Sequence, residues 1–100
     1  MKVAVFGAGA IGGMIGAALA EAQVETTLIA RGPHLAAMTE RGLRVIGSWG
    51  ERTVRPRLMA DTAEAGPQDY VIVATKAQAA AAAVDALLPM LGPATTVVTA

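Results

Sequence analysis

Val3-Ala4-Val5-Phe6-Gly7-Ala8-Gly9-Ala10-Ile11-Gly12-Gly13-Met14-Ile15-Gly16 decides the fold. A short β-branched, apolar run leads into Gly-x-Gly-x-x-Gly. A helical pattern follows at once, with Ile11, Ile15 and Leu19 at four-residue spacing on one face. The stretch predicts a strand, a tight turn and a helix. Gly7 lets the chain turn sharply off the strand, Gly9 has no side chain to keep a ligand from the backbone, and Gly12 lets the helix sit close to its strand.

The first N–H groups of that helix, near Ala10, Ile11 and Gly12, have no partner within the helix, and the dipole places partial positive charge there. A phosphate fits that position. Gly-x-Gly-x-x-Gly alone is a weak signal in a glycine-rich chain. Here it follows a strand, opens a helix and is followed by a second strand about 24 residues after Gly7, the context of a dinucleotide-binding fingerprint. The turn from Gly7 through Ala8, Gly9, Ala10 and Ile11 to Gly12 is therefore read as the pyrophosphate site, against the alternative of a purely structural glycine turn.

A signal peptide is the rival reading. Val3 to Ala20 carries no charge, and Ala18-Leu19-Ala20 imitates a cleavage site. Five glycines interrupt the run, however, and the single Lys2 makes a poor positive leader. The segment reads as a buried β-α unit, neither signal nor membrane span.

One hundred residues suit one domain with a modest core. Hydrophobic residues reach 54% and aromatics only 3%, so the core is aliphatic. Eight basic and eight acidic residues cancel, which argues against nucleic acid or an anionic membrane as partner. With no cysteine, disulfides, thiolate metal sites and Cys nucleophiles drop out, and with no credible targeting segment a cytoplasmic location is the default expectation.

Val24 to Ala30 reads as a second strand, parallel to the first through the helical crossover. Arg31 stands at its carboxyl end, where an NAD site usually has Asp or Glu for the ribose hydroxyls. A carboxylate would repel a 2′-phosphate, whereas a guanidinium grips it with charge-assisted bonds, so the site favours NADP(H). The alternative is that Arg31 is a solvated loop residue. Gly32-Pro33 starts a second helix and Gly42 ends it, with Leu35 and Met38 inward. His34, the one histidine, has no companion for a metal site and is assigned no catalysis.

Leu43 to Gly47 and Thr53 to Arg57 predict a hairpin around Ser48-Trp49-Gly50-Glu51, with Pro56 suited to an edge strand. Its four arginines and Trp49 admit a nucleic-acid reading, but in a neutral chain a solvated edge is favoured. Asp61 to Pro67 reads as a short helical turn or loop, with Asp61 as candidate cap, before Asp69 to Thr75, a buried parallel strand. Lys76 and Gln78 follow at its carboxyl end, on the same rim as the glycine turn and Arg31, and Thr75 and Lys76 count with the cofactor site. A helix over 77–90, distorted or ended by Pro89, and a strand over 95–99 complete the chain. The fold class is α/β: a Rossmann-like, doubly wound, mostly parallel sheet with a β-hairpin at one edge, in three αβα layers.

With the glycine turn, Ala30-Arg31-Gly32, the hairpin and Val73-Ala74-Thr75-Lys76-Ala77-Gln78 in view, the chain resembles the amino-terminal part of the ketopantoate reductases (2-dehydropantoate 2-reductases) over essentially its whole length. 6-Phosphogluconate and sugar-nucleotide dehydrogenases share the opening but fit Lys76-Ala77 and the hairpin less well. The resemblance implies NADPH-dependent reduction of ketopantoate to pantoate in pantothenate and coenzyme A synthesis. It places Gly7, Gly9 and Gly12 on the pyrophosphate, Arg31 on the 2′-phosphate and Lys76 against the cofactor, with a solvated lysine as the alternative.

That family continues past this strand into an Asn-Gly turn, further strands and a helical domain that brings a catalytic lysine and a substrate-binding acid. None of those positions falls within residues 1–100, so no catalytic residue is carried over. The expectation is an NADP(H)-binding module with little catalysis alone, able to self-associate through its exposed sheet edge. An engineered minimal scaffold without useful affinity, or half of an enzyme completed by a partner chain, are the alternatives.

Overall fold

The computed structural model describes residues 1–7, 10–30, 32–47, 50–75 and 84–99. In chain order the elements are β1 (Lys2–Phe6), α1 (Ala10–Glu21), β2 (Glu25–Ile29), α2 (Gly32–Arg41), β3 (Leu43–Gly47), β4 (Gly50–Val54), β5 (Arg57–Met59), α3 (Thr62–Ala65), β6 (Tyr70–Val73), α4 (Val84–Leu87), a 3₁₀ turn (Leu88–Met90) and β7 (Thr96–Thr99). The predicted residues 77–83 of the last long helix, and the hairpin tip Ser48-Trp49, lie outside the described residues.

β5-β2-β1-β6-β7 form a five-stranded sheet in which every pairing is parallel. Alternation along the strands sends side chains to two separate cores. Ala4, Ile29, Val71 and Val73 pack with Leu87 and Met90 on one face. Val5, Leu28, Ala30 and Met38 pack on the other, with Ile15 and Leu19 of α1 and Leu35 of α2 against them. The result is the expected three-layer αβα arrangement. Burying side chains such as Leu28, Val5 and Val71 removes most of their surface from water, worth about 1.5–3 kcal/mol each.

The hairpin region departs from the sequence-based expectation. β3 and β4 pair antiparallel as a two-stranded sheet of their own, with Gly47 opposite Gly50. The second strand therefore begins at Gly50, where φ is +104°, and not at Thr53. Shortening the turn shifts the register and releases Arg57 from the hairpin. Arg57–Met59 instead pairs with β2 as the edge of the main sheet, and Pro56 lies in the link between strands. Against α1 the hairpin is tied by Arg52 Nη1 to Glu21 Oε2 at 2.6 Å.

The ends of α1 and α2 show two ways of stopping a helix. Gly42, at φ +78°, donates its N–H to Met38 O at 2.8 Å and closes α2 as the sequence predicts. α1 closes on Gln23, at φ +63°, with Gln23 N–H to Ala20 O at 3.0 Å and Val24 N–H to Leu19 O at 3.1 Å. That pair of bonds is a Schellman cap, where α2 has the simpler single-bond left-handed cap, and here it forms without a glycine. Asp61 caps α3 by accepting from the Ala63 N–H at 2.9 Å, and Pro89 coincides with the tightening of α4 into the 3₁₀ turn. No helix among the described residues is long and apolar enough to cross a membrane.

Candidate dinucleotide-binding site

The sheet order creates the site. From β1 the chain steps outward through β2 to β5, then crosses to the other side for β6 and β7. The reversal falls between β1 and β6, and in open α/β sheets ligands bind in the crevice outside the carboxyl ends of the strands at such a point. Backbone bonds hold the rim in line: Ala30 N–H to Met59 O at 3.1 Å, Gly7 N–H to Ile29 O at 3.2 Å and Ala74 N–H to Phe6 O at 2.9 Å.

Gly7 turns off β1 at φ +101°, a conformation that L side chains avoid. A Cβ there would stand 2.6 Å from Thr75 Cγ2 and 3.3 Å from Thr75 N. Gly12, in the first turns of α1, is packed still closer. A Cβ on it would lie 1.8 Å from Gly7 O and 3.1 Å from Ala74 Cβ. Both glycines are thus needed to bring the start of α1 against the ends of β1 and β6. α1 begins at Ala10 with no acidic side chain in its first turn, so its unpaired N–H groups and partial positive charge face no competing carboxylate of the helix itself.

Of the residues singled out in the sequence, Gly7, Gly12 and Thr75 are brought together at this crevice, with Ala10 and Ile11 opening the helix beside it. Ala8, Gly9, Arg31 and Lys76 lie outside the described residues, as do the side chains of Ala10, Ile11 and His34. Arg31 follows Ala30 in the sequence and Lys76 follows Thr75. Two features escaped the sequence reading. Gly16 packs against β2, where a Cβ would meet Leu28 Cδ1 at 2.1 Å; its spacing of four from Gly12 was the available signal. The second is Thr75 Oγ1, buried without a hydrogen-bond partner among the described residues; nothing in the sequence marks it.

Such a site fits a dinucleotide on its own geometry: glycines that let α1 close on the ends of β1 and β6, a helix N-terminus at that point, and a buried hydroxyl with no partner among the described residues. The comparisons agree. Residues 3–100 match the family model described as Ketopantoate reductase PanE/ApbA. A 2-dehydropantoate 2-reductase of Mesorhizobium japonicum is 46% identical over 101 residues, covering 99% of this chain and 31% of that protein. The crystal structure of 2-dehydropantoate 2-reductase from Porphyromonas gingivalis W83 superposes with a TM-score of 0.87 at 37% identity, over 97% of this chain and 37% of that one. A ternary structure of D-mandelate dehydrogenase with NADH and anilino(oxo)acetate superposes with a TM-score of 0.88 at 25% identity, over 99% of this chain and 33% of that one. The chain thus spans 31% of the length of that curated relative. By fold, glycine cradle and sequence alike, it belongs to the ketopantoate reductase family, oxidoreductases that use a nicotinamide dinucleotide.

Proposed function

We propose that this chain is the NADP(H)-binding domain of a ketopantoate reductase-type enzyme, whose parent reaction reduces 2-dehydropantoate to pantoate. The observation that carries the reading is the glycine cradle at the β1/β6 reversal, where Gly12 comes so close to Gly7 O that a Cβ would stand 1.8 Å away. The backbone from Gly7 through Ala8, Gly9, Ala10 and Ile11 to Gly12 would hold the pyrophosphate, Arg31 the 2′-phosphate, and Thr75 and Lys76 the side of the crevice formed by β6. When bound, the nicotinamide supplies a hydride for a substrate carbonyl. This chain's own residues bind and orient the dinucleotide, so that its reactive ring is held for transfer to the carbonyl.

The mandelate dehydrogenase structure, with NADH, supports a second reading in which the preferred dinucleotide lacks the 2′-phosphate and the substrate is another 2-keto acid. Calorimetric titration with NADPH and NADH separates the two. Under the first reading NADPH binds more tightly, and Arg31→Ala weakens it about ten- to a hundredfold while leaving NADH nearly unchanged. Tighter binding of NADH, or no effect of the substitution, rejects the role of Arg31.

A further inference from the structure

Thr75 Oγ1 is a buried side-chain atom with no hydrogen-bond partner among the described residues. A buried hydroxyl left unpaired opposes folding, because it gives up its water and receives nothing in return. Valine would fill the same space, favour the end of a strand and leave no polar atom to satisfy. Packing alone therefore does not account for threonine at this position.

Its surroundings suggest what does. Thr75 follows Ala74, whose N–H is bonded to Phe6 O at 2.9 Å, so it sits directly outside the β1–β6 pairing. Its methyl group lies against the Gly7 turn, with Cγ2 2.6 Å from the place a Cβ on Gly7 would take. The residue as a whole is only partly buried. A threonine side chain has alternative staggered positions about χ1, and no bond to the described residues holds this hydroxyl in its present one.

We propose that Thr75 keeps its hydroxyl unbonded in the free protein and turns it, about χ1, to donate to an oxygen of the diphosphate–ribose segment of the bound dinucleotide. This rests on the cofactor reading above and adds to it a residue that trades stability for affinity. The hydroxyl destabilises the empty crevice and is satisfied only by the ligand, so the two effects have opposite signs in one side chain.

Thermal unfolding without nucleotide, and calorimetric titration with NADPH, NADH and ADP, test it on the wild-type chain, Thr75→Val and Thr75→Ser. Thr75→Val is expected to melt about 4–8 °C higher than wild type. It should bind NADPH and NADH about five- to thirtyfold more weakly, by the same factor for both, since the 2′-phosphate lies elsewhere. Thr75→Ser restores the donor and should keep both affinities within about threefold of wild type. Equal weakening of ADP by Thr75→Val assigns the acceptor to the diphosphate; unaltered ADP binding assigns it to the second ribose. A Val variant that binds dinucleotide as tightly as wild type, or that melts lower, overturns the proposal alone. Wild-type chain that binds neither dinucleotide overturns the cofactor reading and this inference with it.

Discussion

The two ends of β1 and β6 are made from the same pair of strands and differ, among the described residues, in how completely their polar side chains are satisfied. At the amino ends, the Lys2 N–H donates to Asp69 Oδ2 at 2.7 Å and the Asp69 N–H to Lys2 O at 2.8 Å. Thr96 N–H reaches Asp69 O at 2.9 Å, and the buried Gln68 side chain donates to Ala65 O and Gly66 O at 3.1 Å each. Thr95 Oγ1 bonds Gln68 O and accepts from the Gly92 N–H. At the carboxyl ends the same strands finish on a glycine at φ +101° and a threonine whose buried hydroxyl has no partner among the described residues. Fold stability explains the first arrangement and not the second. A left-handed turn there requires glycine, and a buried hydroxyl without a partner costs stability.

Substitutions at the two ends should therefore fail differently. The largest effect is expected from Gly12→Ala, because the obstacle is the carbonyl of Gly7, which is backbone and cannot rotate away. A loss of about 3 kcal/mol or more is expected, read as a collapse of the urea midpoint, together with loss of nucleotide binding. Survival of this variant with native stability would refute the close approach of α1.

Gly7→Ala comes next, at about 1–3 kcal/mol, from the left-handed conformation and the contact with Thr75 Cγ2. Combining it with Thr75→Ser, which removes Cγ2, should recover part of that loss. Simple additivity in the double-mutant cycle would show that the contact contributes nothing.

The smallest effect sharpens the contrast. Asp69→Ala at the amino end removes a carboxylate acceptor near the surface and should cost about 1 kcal/mol of stability. Nucleotide affinity should stay within about twofold of wild type. A large loss of affinity there would mean that the two ends are coupled and the division drawn above is false.

Much of the fold was legible because its signals are local. Gly7 and Gly12 mark a turn and a close approach at fixed spacing, Gly42 ends a helix, and Asp61 caps one. What escaped the sequence depends on partners far along the chain. β5 has three residues, Arg57–Met59, too few for a periodic pattern; it is a strand because Thr27, Leu28 and Ile29 pair with it. Sequence pattern alone therefore places Arg57 in the hairpin and Pro56 in an edge strand. Gln23 adopts a glycine-like cap with nothing in its type to announce it, and Gly16 is required by Leu28, which follows only once β2 lies under α1. At the candidate site, sequence named the cradle glycines and grouped Thr75 with them. The state of its hydroxyl follows from which side chains and main-chain groups end up around it.

The position of β1 in the middle of the sheet governs how the molecule comes into being. Its register partners are Glu25–Ile29 on one side and Tyr70–Val73 on the other. During synthesis β1 can pair with β2 early, but its second edge stays bare until residue 73 has emerged, although Val3, Ala4 and Val5 are all buried in the finished protein. Pairing across so long a separation closes slowly and leaves the waiting edge open to wrong partners. The crevice between β1 and β6 does not exist before that closure. A nucleotide therefore cannot template the early chain; by mass action it can hold only the completed one.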